Sequence, residues 1–143
     1  LIISEEFYDA IFPDDRYEEN CKKLLEKGPK VVIVTLGSKG CAGADDMGNT
    51  FRLPPFSGYP IIDTTGAGDV FHGGFVYAHS QGWDTKTCAR FASAVSYINC
   101  TSLGGRVGIP DRKMVDQFLE TGRIDYTDIE PRREFYRNVM SFQ

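Results

Sequence analysis

The stretch Ile61–His79, IIDTTGAGDVFHGGFVYAH, decides how this 143-residue chain folds, because it sets a Gly-Ala-Gly turn between two aspartates directly before a segment of helical period. Val70, Phe71, Gly74, Phe75 and Ala78 share one face at that period, which predicts a helix over 67–81 ended by Gly82. The run YPIID ahead of the turn predicts a short strand. Strand, glycine turn and helix in that order aim consecutive backbone N–H groups at one spot, at the positive end of a helix dipole. Such a spot binds anions, and phosphate in particular. Gly66 and Gly68 let a ligand approach the backbone with no Cβ in the way. The spacing is neither G-x-x-x-x-G-K-[ST] nor G-x-G-x-x-G.

Asp69 is the informative residue of this turn. A carboxylate inside an anion-binding helix start repels phosphate unless it has a task of its own, and the task that fits is to accept the proton of an attacking hydroxyl. The alternative is that Asp69 only complements the helix dipole in the first turn. His72 reads as a packing or surface residue, and Gly73 and Gly74, each costing about 1 kcal/mol in a helix interior, read as positions of close packing or substrate approach.

Outward from the turn, helices and buried strands alternate, the pattern of a layered α/β domain. LIIS reads as a strand end passing into a short helix, EEFYDAIF, that stops before Pro13. A second helix is expected over about 16–27, ended by Gly28-Pro29. KVVIVTLG is a β-branched run without alternation, as in a strand buried on both faces. CAGA, DDMGN and TFRLP read as a hairpin with a polar turn. Asp84 is the N-cap expected for a long helix, TKTCARFASAVSYINC, whose small residues suit close packing. TSLGGRVGIP is a glycine-rich loop, and DRKMVDQFLET is an amphipathic helix capped by Asp111. The remainder, 124–143, is charged and aromatic, has no evident place in the core, and is expected to pack on a partner subunit.

A domain of this length buries roughly two thirds of its unfolded surface, so a true core is expected. Sixteen basic against twenty acidic residues give a net charge of −4, which argues against a nucleic-acid partner. Cys21, Cys41, Cys88 and Cys100 form no C-x-x-C pair, so neither a zinc site nor a redox motif is legible, and reduced, buried thiols are expected. Neither a membrane span nor a secretory signal is readable, and the expected compartment is the cytoplasm.

The string DTTGAGD followed by F-x-G-G-F resembles the second signature of the PfkB, ribokinase-like, carbohydrate kinases. VIVTLGSKGC resembles their nucleotide-side strand and turn, and CTSLGGRVGIP their late loop near the adenine, all in the family's order over about 31–110. Ala67 and the preceding Asp63-Thr64-Thr65 favour the sugar or nucleoside branch over the vitamin kinases.

The resemblance implies a three-layer α/β/α fold with a mainly parallel sheet, here only its C-terminal part: residues 1–123 as nucleotide-binding and catalytic part, 124–143 as an extension. It implies ATP-dependent phosphoryl transfer with Mg2+ and a monovalent cation such as K+. Asp69 would be the base, and Gly66, Ala67 and Gly68 the anion hole. Thr35, Gly37, Ser38, Lys39 and Gly40 would lie along the nucleotide, Asn99, Ser102, Gly104 and Gly105 near the adenosine, and Asp63 with Thr65 at the cation. Ser38-Lys39 as a plain solvated turn and Gly104-Gly105 as mere loop shapers stay open beside these roles.

Two departures stand out. Where such kinases carry N-x-x-E this chain has SEEF, with Ser4 for Asn and Phe7 for Glu, so that Glu5 or Glu6 would have to serve the magnesium. The family's catalytic unit is also about twice this length, so the part that supplies the sugar pocket is absent. An uncovered sheet edge then predicts association with that half or with a further copy. The expected ligands are ATP and a sugar or nucleoside, and the isolated piece is expected to be inactive. A non-catalytic sugar- or nucleotide-sensing module is the alternative, and the glycine spacing and the lack of an acidic residue at the proper distance after a second strand argue against a dinucleotide-binding oxidoreductase.

Overall fold

The computed structural model describes residues 1–140, so the last three residues of the 124–143 extension lie outside the described residues. The chain divides into two compact units: Leu1–Pro55 with Val76–Arg90, and Phe56–Phe75 with the chain from Phe91 onward.

The first unit is built on a four-stranded sheet in the order β1 (Ile2–Ser4), β2 (Val31–Thr35), β3 (Cys41–Asp45), β4 (Thr50–Leu53). Helices α1 (Glu5–Asp9) and α2 (Tyr17–Leu25) carry the chain from β1 to β2, which pair in parallel with Ile2 opposite Ile33. The short connections β2–β3 and β3–β4 leave only antiparallel pairing, with Thr35 opposite Cys41 and Cys41 opposite Leu53. Val32, Ile33 and Val34 are completely buried, as their unbroken apolar run requires. The hairpin turn closes on Asp45, whose carboxylate accepts from the backbone N–H groups of Met47 at 3.1 Å and Asn49 at 3.0 Å. Ile3, Tyr8, Tyr17, Cys21, Val32, Val34, Leu36, Ala42 and Ala44 form the core of this unit.

Two long helices, α3 (Ala67–Ser80) and α4 (Thr85–Cys100), follow. Val70, Phe71, Gly74, Phe75 and Ala78 are buried as one face of α3, and Asp84 caps α4 by accepting from Thr87 N–H at 3.0 Å. Helix α5 (Arg112–Thr121) starts at Asp111, which accepts from Met114 N–H at 2.8 Å, and ends at the left-handed Gly122. All four cysteines are buried and none forms a disulfide. Among the described residues no helix is long and apolar enough to cross a membrane.

The sequence misleads in two places. YPIID is not a strand: Pro60 removes a ladder donor, and the segment satisfies its backbone elsewhere. Tyr59 N–H donates to the Tyr97 hydroxyl at 2.7 Å, that hydroxyl donates back to Tyr59 O at 3.0 Å, and the Ile62 amide donates to Cys100 O at 2.8 Å. The tail also has a place in the second unit, since Ile124 and Ile129 are buried there and helix α6 (Glu130–Met140) follows.

Candidate active site

The Gly66-Ala67-Gly68 turn lies in the second unit and leads into α3, preceded by an irregular segment where a strand was expected. Gly66 adopts φ +72°, where a side chain would be strained, and its carbonyl accepts the Val70 amide at 2.9 Å to start α3. The amides of Gly68 and Asp69 are in the first helical turn and have no intrahelical acceptor. Open space surrounds the missing Cβ of Gly68. Asp69 is exposed in that turn, so a carboxylate and amide donors share one helix start. Ser96 Oγ donates to Ala67 O at 2.9 Å and fixes the helix start on α4. His72 is exposed and its Nδ1 donates to Gly68 O at 2.7 Å, in agreement with a surface role.

The two helical glycines differ. A Cβ on Gly74 would meet Ala92 Cα at 3.1 Å and Val95 Cβ at 3.3 Å, so Gly74 permits close packing of α3 on α4, while Gly73 is exposed with nothing around it.

Asp63 joins the phosphate turn to the glycine-rich loop. Its Oδ1 accepts from Thr65 N–H at 2.9 Å and its Oδ2 from Gly104 N–H at 2.9 Å. These donors, Thr65 first, hold the carboxyl below the usual carboxylate range. The loop touches the turn again at Gly105, where a Cβ would lie 3.1 Å from Thr65 O, and one on Gly66 would lie 3.0 Å from Gly105 O. Asn99 and Ser102 are buried beneath the loop. Asn99 Nδ2 donates to Gly105 O at 3.3 Å, while Asn99 Oδ1 and Ser102 Oγ have no protein partner. Gly108 seats the loop there, because a Cβ would fall 2.5 Å from Asn99 O. Neither this glycine nor the Asp63 clasp is readable from the string, since their partners are about 10 to 40 residues away.

In the first unit Thr35 ends β2 and donates its hydroxyl to Ile3 O at 3.3 Å. A 3-10 turn over Gly37–Lys39 follows, with Gly37 at φ +53° and Gly40 at φ +92°. Ser38 and Lys39 are exposed. Lys39 Nζ lies 2.5 Å from Glu5 Oε1, which also accepts from the Tyr17 hydroxyl at 3.1 Å. Lys39 is the main reason the Glu5 carboxyl is shifted down. Ser4 caps α1 by accepting from Phe7 N–H at 3.4 Å, and Phe7 is 56% exposed, a hydrophobe with no core to fill. Among the described residues no three His, Cys, Asp or Glu side chains cluster as a metal site.

Residues 5–112 match the family model described as pfkB family carbohydrate kinase. A nucleoside kinase of Methanothermobacter thermautotrophicus is 40% identical over 89 residues, 62% of this chain and 28% of that protein. The crystal structure of a ribokinase from Thermotoga maritima superposes with a TM-score of 0.72 at 34% identity, covering 85% of this chain and 42% of that one. The structure of Arabidopsis thaliana ribokinase complexed with ribose and ATP gives 0.72 at 30% identity, covering 84% and 40%. The chain spans about a quarter to two fifths of the length of the curated relatives it matches, 26–40%. The architecture is therefore part of a ribokinase-like α/β fold, and the chain belongs to the pfkB family of carbohydrate kinases.

Proposed function

We propose that the chain supplies the nucleotide-binding and catalytic part of an ATP-dependent kinase that phosphorylates a hydroxyl of a sugar or nucleoside. The observation that carries this reading is the exposed Asp69 carboxylate in the same helical turn as the amides of Gly68 and Asp69. A carboxylate there accepts the proton of the attacking hydroxyl, while the turn Gly66-Ala67-Gly68 and the helix dipole stabilise charge growing on the transferred phosphoryl group. Relatives named ribokinase and nucleoside kinase, and a ribokinase structure holding ribose and ATP, support the substrate class.

The residues fit the groups this chemistry needs. Open space at Gly68 leaves room for a phosphate oxygen beside the amides of the turn, and Mg2+ would be held largely by phosphates and water. Magnesium would neutralise phosphate charge during transfer. Thr35, Gly37, Ser38, Lys39 and Gly40 are assigned to the nucleotide, with Lys39 on its phosphates once it leaves Glu5. Gly104 and Gly105 are assigned to the adenosine side, and Asn99 and Ser102, being buried, act there by supporting the loop. Asp63 and Thr65 are assigned to a K+ ion, with the Asp63 carboxylate, kept charged by its Thr65 and Gly104 donors, supplying the negative charge. Residues 1–123 form the kinase part and 124–143 an extension.

The test is a calorimetric titration of the 143-residue chain with Mg·ATP, followed by a coupled ADP-release screen of the full gene product over sugars and nucleosides. Turnover by the gene product with weak binding by the chain alone supports the kinase reading. Tight ATP binding without turnover of any substrate overturns it in favour of a sensing module, the reading favoured by the exposed Phe7 and the Lys39-bound Glu5.

A further inference from the structure

We infer that α6 is a positioning element for the phosphate turn, acting through the glycine-rich loop 101–110. This loop has little internal support: its own backbone hydrogen bonds, Val107 to Gly104 at 3.4 Å and Ile109 to Arg106 at 3.5 Å, are long and weak. Its shape is imposed from outside: α6 touches it directly at two places and bears on a third through Tyr126.

At the loop's start, the Arg133 guanidinium stands 3.8 Å from the centre of the Tyr126 ring, and the Tyr126 hydroxyl donates to Thr101 Oγ1 at 2.8 Å. At its middle, the Tyr136 ring covers Gly104, where a Cβ would be 3.4 Å from Cε1. At its end, Arg132 donates to Ile109 O at 3.1 Å. Glu130 holds Arg133 in place by pairing with it at 2.7 Å, and also pairs with Arg137.

The pressed loop in turn meets the phosphate turn through the Gly104 amide on Asp63 and through Gly105 against Thr65 and Gly66. The chain of contact therefore runs from α6 through Gly104 and Gly105 to the helix start that carries Asp69. Helix α6 lies beyond residues 5–112, the part that matches the family model.

Hydrogen exchange of the 143-residue chain tests this without any ligand. In Tyr136→Ala and Arg132→Ala the amides of Thr65 and Gly104–Ile109 should exchange about tenfold faster, with α5 amides such as Val115 and Phe118 unchanged. Tyr136→Phe, which keeps the ring, should restore protection. The affinity readout rests on the kinase reading: in the full gene product carrying either alanine substitution, Mg·ATP binding should weaken several-fold and kcat should fall with it, while Tyr136→Phe stays near wild type. Unchanged exchange at Thr65 and Gly104, or faster exchange spread equally into α5, overturns the role of α6. Failure of the wild-type full gene product to bind Mg·ATP overturns the kinase reading instead and leaves the exchange result to decide the positioning.

Discussion

The carboxylate of Asp63 accepts the backbone N–H of Gly104 from 41 residues away, at 2.9 Å, while its other oxygen holds the amide of Thr65. One side chain thereby ties the phosphate turn to the loop beside it. Ionised carboxylates make strong acceptors, so this clasp depends on charge.

The pH dependence follows from that charge. Its donors hold the folded pKa of Asp63 below the unfolded value of about 3.9, so the clasp is fully present above that value and is lost as pH falls through the lowered one. In an NMR titration the Gly104 and Thr65 amide shifts should move together with a midpoint below about 3.9, and Asp63→Asn should abolish that movement. A midpoint at or above the ordinary carboxylate value would contradict the clasp.

Asp69→Asn keeps size and polarity and removes the base. In the full gene product kcat should fall by roughly 10²–10⁴-fold, with ATP affinity near wild type. A variant that keeps most of its turnover would leave Asp69 as a helix-dipole residue only.

Neighbouring helical glycines should respond in opposite directions. Gly73→Ala meets open solvent and should stabilise the chain by about 0.5–1 kcal/mol through helix propensity. Gly74→Val drives methyl groups into Ala92 and Val95 and should cost about 1–3 kcal/mol. Urea midpoints of the two variants provide the comparison.

A similar contrast is expected in the 3-10 turn. Gly37→Ala carries only the left-handed backbone penalty, about 1–2 kcal/mol, since nothing surrounds its Cβ position. Gly40→Ala adds a collision with Leu53 O and with the backbone of Pro54 and Pro55, which cannot swing aside as a side chain can. Its melting temperature should drop well below that of Gly37→Ala.

The amino-acid sequence by itself determined the local elements and the glycine turn that opens α3. Helical period, the caps at Asp84 and Asp111, the β-branched run at Val31–Thr35 and the Asp-Thr-Thr-Gly-Ala-Gly-Asp string all act over a few residues, where steric preference and nearest-neighbour hydrogen bonds dominate. Tertiary structure decided the rest. Whether YPIID pairs as a strand depended on the Tyr97 hydroxyl and Cys100 carbonyl that took its backbone groups. Whether Glu5 is free depended on Lys39, and whether the tail packs depended on buried sites for Ile124 and Ile129 and on contacts from Arg132 and Tyr136 to the loop. Each is a partnership between residues distant in the chain, and a buried apolar surface or an unpaired polar group accepts whichever partner the folded chain brings to it.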